Sequence, residues 1–164
     1  MTEQIERDLL CIGSPSRKKT NVGDIFVVSP KEGMYLYGIV AKKAIIDSDT
    51  PFNLIYIYNY VSDAIKIPEV LSSKDLLIEP RIVNNLGWSR GYFKTIGNIP
   101  VEQIDLLEDH GFYDDIKTWR RYFDEFGQEM DHVPKNTSEY TLGNYLTTGD
   151  RIFKALDKLG IKTQ

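Results

Sequence analysis

The sequence is poor in the residues that covalent and metal chemistry require. Cysteine occurs once, at Cys11, which excludes an internal disulfide and agrees with a reducing compartment. Histidine occurs twice, at His110 and His132. Neither has metal-ligand spacing to the other or to Cys11, and no His-Glu-x-x-His segment exists, so no metal is expected. Both histidines read as surface or loop residues, and Cys11 as a small apolar residue rather than a nucleophile. Long hydrophobic runs are also missing. The longest apolar stretch, residues 54–61, is interrupted by Asn59 and falls far short of the roughly 20 residues of a membrane helix. Residues 1–10 carry Glu3, Glu6, Arg7 and Asp8 in place of the basic start and apolar core of a signal peptide, so a cytoplasmic location without a membrane partner is expected. Neither a glycine-rich phosphate loop nor a nucleophile elbow is present. Adjacent acids such as Asp114-Asp115 and Glu108-Asp109 do not by themselves make an acid–base pair. No catalytic residue and no cofactor is assigned, and the chain reads as a non-enzyme.

What is there favours strands. The 164 residues suit one domain over 1–164, with residues 1–20 a short helix followed by a flexible arm. Aromatics make up 12% of the chain and ten of them are tyrosines, a residue suited both to strands and to half-wet binding faces. Gly23-Asp24-Ile25-Phe26 opens a strand, with Ile25 and Phe26 entering the core on opposite faces. Ser29-Pro30 and a Lys31-Glu32-Gly33 turn lead into a second strand over 34–41, which predicts a hairpin. After a loop at 47–51, residues 52–60 form a third strand. Leu54, Tyr56, Tyr58 and Tyr60 share one of its faces, and Ile55, Ile57 and Val61 the other, as in a strand covered on both sides. Further strands are predicted over 76–83, with an edge or bulge at Pro80, and over 88–96, with Gly91 at a bulge or close backbone approach. Residues 101–108 read as a helical turn ended by His110-Gly111, and 119–123 as a strand. Ile152, Ala155, Leu156 and Leu159 recur at helical spacing before Gly160, which predicts a helix over 151–159. The expected class is α+β: a mainly antiparallel sheet or partly open barrel with a C-terminal helix and short peripheral helices.

Charge is unevenly placed. The net charge is −4, yet residues 102–131 hold ten acidic and three basic side chains, a balance of −7 that leaves +3 elsewhere. Such a segment repels a phosphate backbone and attracts a basic partner, although a solvated surface has the same composition. Within it Asp105, Glu108, Asp109, Asp114, Asp115, Asp124 and Glu125 are candidate partner contacts. Trp119, Tyr122 and Tyr113 are candidate anchors, with core packing the alternative for each. Arg17, Lys18 and Lys19 form a basic loop, but three charges are few for nucleic-acid binding, which is not expected.

The order of these elements carries a resemblance. Gly23-Asp24-Ile25-Phe26, Pro30, the Gly33-x-Tyr35-x-Tyr37-Gly38-x-Val40 hairpin, the aromatic strand over 52–60, and then Trp88, Phe93, Ile96-Gly97-Asn98 and Pro100 together resemble immunity protein family 26 of bacterial polymorphic-toxin systems. The resemblance spans roughly residues 20–130. It departs from the family at Ser29, where an apolar residue is common, and in the added C-terminal helix. It implies an intracellular protein that neutralises a cognate toxin encoded beside it by direct protein–protein binding. A second resemblance is to RNase toxins of the growth-inhibiting barrel type, which also open on Gly-Asp-Ile. Their Arg-Pro turn is replaced here by Lys42-Lys43-Ala44-Ile45, and the acidic balance opposes RNA binding.

Overall fold

A computed structural model describes residues 10–46, 49–116 and 119–163. Residues 1–9, where the short helix was expected, and the Asp47-Ser48 part of the predicted loop lie outside them. The strands are β1 (Asp24–Lys31), β2 (Met34–Ile45), β3 (Pro51–Ser62), β4 (Arg81–Val83), β5 (Lys94–Asn98), β6 (His110–Ile116), β7 (Trp119–Phe123), β8 (Asn136–Glu139) and β9 (Leu142–Gly143). The helices are α1 (Leu86–Ser89) and α2 (Tyr145–Lys158), with a 3-10 turn at Val101–Gln103. Six strands form one sheet in the order β5-β1-β2-β3-β4-β9, and three form a second in the order β7-β6-β8. Both sheets are open, so the expected mainly antiparallel β-rich fold is present without a closed barrel among the described residues. Pairing in the large sheet is antiparallel except between β4 and β9. Among the described residues no helix is long and apolar enough to cross a membrane.

Alternation along the strands sorts their side chains into two cores. Phe26, Val28, Val40, Ile55 and Ile57 face one side, where they meet Trp88, Phe93 and the α2 residues Tyr145, Ile152 and Leu156. Ile25, Ile39, Ala41, Leu54, Tyr56 and Tyr58 face the other, where they meet Ile104 and Phe112. The large sheet is therefore covered by helices on one face and by the small sheet on the other, as the two apolar faces of β3 require. Pro30 stays within β1 where the register with β2 shifts between Val28 and Lys31, since its missing N–H fits a bulge.

One point of close packing holds the helical side. The Phe26 ring stacks on Phe93 at 5.2 Å and meets Trp88 edge-on at 5.2 Å. It has room because Gly38 lies opposite on β2. A methyl at Gly38 would sit 2.5 Å from Phe26 Cζ and 2.8 Å from the Tyr56 carbonyl oxygen.

Several predicted elements differ, each for an identifiable reason. The strand expected over 88–96 is shorter and later: Trp88 belongs to α1, and β5 starts only at Lys94. Gly91, at φ 87°, turns the chain between them. The close approach predicted there is present, because a Cβ on Gly91 would lie 2.4 Å from the Gly13 carbonyl oxygen. Residues 101–108 make only the 3-10 turn, since the next groups bond elsewhere: Leu107 N–H donates to Tyr56 Oη, and Asp105 accepts from Ser73. His110-Gly111 opens β6 instead of ending a helix. Of 76–83 only β4 is strand, with Leu76 in a single bridge to Tyr58. The C-terminal helix begins six residues earlier than predicted, because Asn144 and Thr147 form a capping box there. The buried Arg81 guanidinium, lowered to about 10 by desolvation, donates to the carbonyl and hydroxyl of Thr147 and ties this first turn to the sheet.

Gly38→Ala is expected to lower the unfolding free energy by about 1–3 kcal/mol through overpacking, and Asn144→Ala by about 1 kcal/mol through loss of the cap. Urea unfolding with an unchanged denaturant slope checks both.

Candidate partner-binding surface

The acidic segment folds mainly into the small sheet. Antiparallel register sets Phe112 opposite Phe123, Tyr113 opposite Tyr122, Asp114 opposite Arg121 and Asp115 opposite Arg120. Phe112 turns inward to the core, and Phe123 stacks on Tyr140 at 4.6 Å. Between these aromatic pairs and the last pair, Ile116 opposite Trp119, the register is charged. Arg120 binds Asp115 through Nε and Nη2 at 2.6 and 3.1 Å, while its guanidinium lies 4.3 Å from the centre of the Tyr113 ring. Arg121 reaches Asp114 at 3.7 Å and Glu129 at 4.0 Å. The sequence signal for these pairs is the mirror order of Asp114-Asp115 and Arg120-Arg121.

The other candidate acids are also engaged within the chain. Glu125 pairs with Lys42 on β2. Burial pushes its carboxyl up most strongly, but the hydrogen bond from Lys42, its own backbone N–H and the charges of Lys42 and His110 together leave it below the usual range. Asp124 accepts from the N–H groups of Phe126 and Gln128 and shapes the turn after β7. Asp105 accepts from the backbone N–H and hydroxyl of Ser73, and Glu108 lies 3.7 Å from Lys135. Asp109, in the left-handed region at φ 46°, accepts from Lys135 N–H and from His132 Nε2 at 2.7 Å. These pairings use fewer bases than there are acids, so a negative excess stays on the surface.

Aromatic side chains interrupt this charge. Trp119 is 50% exposed at the start of β7, so it belongs to the surface and not to the core. Tyr122 and Tyr113 are half-buried on the opposite face of the hairpin from Phe112 and Phe123. Phe126, missed in the sequence, is exposed in the following turn. The half-exposed indole stands beside ion-paired arginines and carboxylates on one hairpin.

The histidines part company. His132 is a loop residue as expected, held by Asp109 and Asp131, which raise it above its ordinary value. His110 is not: it lies in β6, its ring meets Phe112 edge-on, and Nε2 lies 2.6 Å from Ser138 Oγ. Burial lowers it to about 4. The pair resembles a base and a nucleophile, but Ser138 is 0% exposed. Cys11 is exposed, not the small apolar residue expected. Among the described residues no group of three His, Cys, Asp or Glu side chains is placed to hold a metal ion.

Two open sheets, one of them ending in a hairpin that presents charged and aromatic side chains, make up the fold. Residues 21–119 match the family described as Immunity protein 26, and the chain belongs to that family. The match runs from the turn before β1 to the first residue of β7. No curated protein and no solved structure matches the chain. Family membership makes the chain an immunity protein in general terms.

The two imidazoles should titrate on opposite sides of the ordinary value in an NMR pH series. His132 is expected above 6.5 and His110 near 4. The linked stabilities follow in sign. His132 with its raised value stabilises fully below its unfolded value and loses that contribution as pH rises through the folded one. Buried His110 takes up a proton more readily when unfolded, so stability falls as pH drops from about 6.5 towards 4. His110→Gln should flatten this acid-side loss, read as unfolding midpoint against pH.

Proposed function

We propose that this immunity protein neutralises a cognate bacterial toxin by direct protein–protein binding, acting by occupancy and not by turnover. The contact surface is the β6–β7 hairpin with its flanks: Asp105, Glu108, Asp109, Asp114, Asp115, Trp119, Tyr122, Asp124 and Glu125. The observation that carries this reading is Trp119, a large side chain half exposed at the edge of an open sheet. Leaving it in water gains the monomer nothing, whereas burial against a partner would make it an anchor. The roles of the acids divide. Asp124 and Glu125 hold the turn in shape through backbone N–H groups and Lys42. Asp114 and Asp115 keep Arg121 and Arg120 extended along the strand, so the hairpin meets a partner with its charges already ordered. The negative excess of residues 102–131 favours a toxin with a basic site, as a nuclease has, and chiefly accelerates encounter. The chain works in the cytoplasm, where a toxin arriving from outside or made in the same cell would act.

The test is co-expression with the product of the adjacent gene, followed by co-purification and growth measurement. Rescue of growth and a stable complex are expected. Trp119→Ala should weaken the complex by about 2 kcal/mol, roughly thirtyfold in Kd, through faster dissociation. Glu108→Gln should instead slow association and reduce its salt dependence. Absence of both complex and rescue would sink the proposal. A complex that Trp119→Ala leaves unchanged would move the contact surface elsewhere.

A further inference from the structure

The strongest unused feature lies on the helical side of the large sheet, where the basic loop docks. Ser16 N–H donates to the Trp88 carbonyl oxygen at 2.9 Å, and Gly13 N–H to the Gly91 carbonyl oxygen at 2.6 Å. These two bonds bring Arg17, Lys18 and Lys19 against the end of α1 and beside Arg90. The four cationic side chains line one concavity of about 510 Å³ with Ser16, Asn85, Trp88 and Ser89, and no carboxylate is among its walls. Among the described residues no acid forms an ion pair with Arg17, Lys18, Lys19 or Arg90. A contiguous hollow of about 380 Å³ shares Lys18 and Lys19 and adds Lys94 and Thr20. Its one acid, Asp24, is occupied by Asn21 N–H and the Asn98 amide.

Charge of one sign gathered without counterions is unfavourable for the free protein, and more so when a neighbouring ammonium is partly buried. Lys43 stands behind this wall, donating to Thr20 Oγ1 at 2.8 Å and Asn53 Oδ1 at 2.6 Å. Desolvation lowers it, Asp24 opposes that, and Lys19 adds to the lowering. A multiply charged anion in the hollow would relieve the repulsion that the fold imposes.

The polar groups between the cations are turned to the same use. Asn85 Oδ1 accepts from Asn53 Nδ2 at 2.7 Å and from Thr20 Oγ1 at 3.3 Å, which leaves its amide N–H groups to donate outwards. Ser16 Oγ accepts from Lys18 N–H at 3.3 Å and keeps its own proton for a ligand. The walls offer no exposed ring or large apolar side chain, because Trp88 is only 2% exposed. A base-stacking platform for single-stranded nucleic acid and an apolar anchor for a protein partner are therefore both missing. Guanidinium, ammonium, hydroxyl and amide donors around a small hollow are what a phosphate group accepts from.

We propose that this hollow binds a compact anion carrying two or more phosphate groups, such as inorganic pyrophosphate or a nucleoside di- or triphosphate. Arg17 acts as a planar fork, Arg90 contributes the guanidinium N–H groups not used by its Nη1 bond to Tyr145 Oη, and Lys18 and Lys19 act as point charges. The site lies on the opposite face of the large sheet from the β6–β7 hairpin and stands independently of toxin binding.

Calorimetric titration of the full chain in phosphate-free buffer at low salt provides the test, with pyrophosphate, ATP, orthophosphate and a single-stranded RNA decamer as probes. Pyrophosphate and ATP should bind one to one with a submillimolar Kd that weakens as salt is raised, and orthophosphate at least about tenfold less tightly. Lys18→Glu with Lys19→Glu, both in an exposed loop clear of the core, should abolish binding. Lys158→Glu on α2 should leave it unchanged. No binding of pyrophosphate or ATP overturns the proposal, as does binding that survives the double substitution. RNA binding that pyrophosphate does not compete would overturn it in favour of a nucleic-acid surface.

Discussion

The Phe26 ring, wedged over Gly38 between Trp88 and Phe93, is the contact on which the rest of the molecule depends. It joins two stretches far apart in sequence: the first hairpin and the segment 88–93 that runs from α1 to the start of β5. With Trp88 and Phe93 fixed, the chain between them can only turn at Gly91, whose bare Cα lets the Gly13 carbonyl approach. That approach in turn holds the basic loop. On the other face of the same strand, Ile25 directs the opposite alternation towards Ile39, Tyr56 and Phe112, and so seats the small sheet. A single close-packed ring thus sets the position of both charged surfaces, because alternation along β1 couples the two faces rigidly.

The two surfaces treat charge in contrasting ways. Around the β6–β7 hairpin nearly every carboxylate has a base, a turn N–H or an imidazole beside it. Such exposed pairs add little stability. Their consequence is order, since side chains already paired lose less freedom when a partner closes over them. Across the sheet Arg17, Lys18, Lys19 and Arg90 are close together, and among the described residues none of them has a carboxylate partner. One surface is suited to shape and aromatic anchoring, the other to capture of charge.

Much of the first hairpin and β3 was legible in the sequence, because a two-residue alternation on both faces has few other solutions. The assignments of Leu54, Tyr56 and Tyr58 to one core and of Ile55 and Ile57 to the other needed only that period. The region from 84 to 111 was less legible, since its conformation is decided by partners distant in the chain. Trp88 has strand propensity but is drawn into α1 by packing on Phe26, and Leu107 forsakes a helix for the hydroxyl of Tyr56. The acidic stretch was visible as composition, whereas its neutralisation was not: Lys42 and Lys135 lie outside it in sequence and reach Glu125 and Glu108 only in the fold. The basic hollow was half visible. Arg17 to Lys19 stood out, but nothing in the sequence joined them to Arg90.

The helix α2 supplies Tyr145, Ile152 and Leu156 to the same core as Phe26, Val28 and Ile57. The short parallel strand β9 also joins β4 across some sixty residues of chain, setting Leu142 beside Ile82 and Gly143 beside Val83. During synthesis the early hairpins, whose contacts are local, can pair as soon as they emerge, while their helical face waits for residues 145–156 to be translated. Until then one side of the large sheet is an open apolar surface, and the ribosome's pace through the C-terminal segment governs how long it stays so.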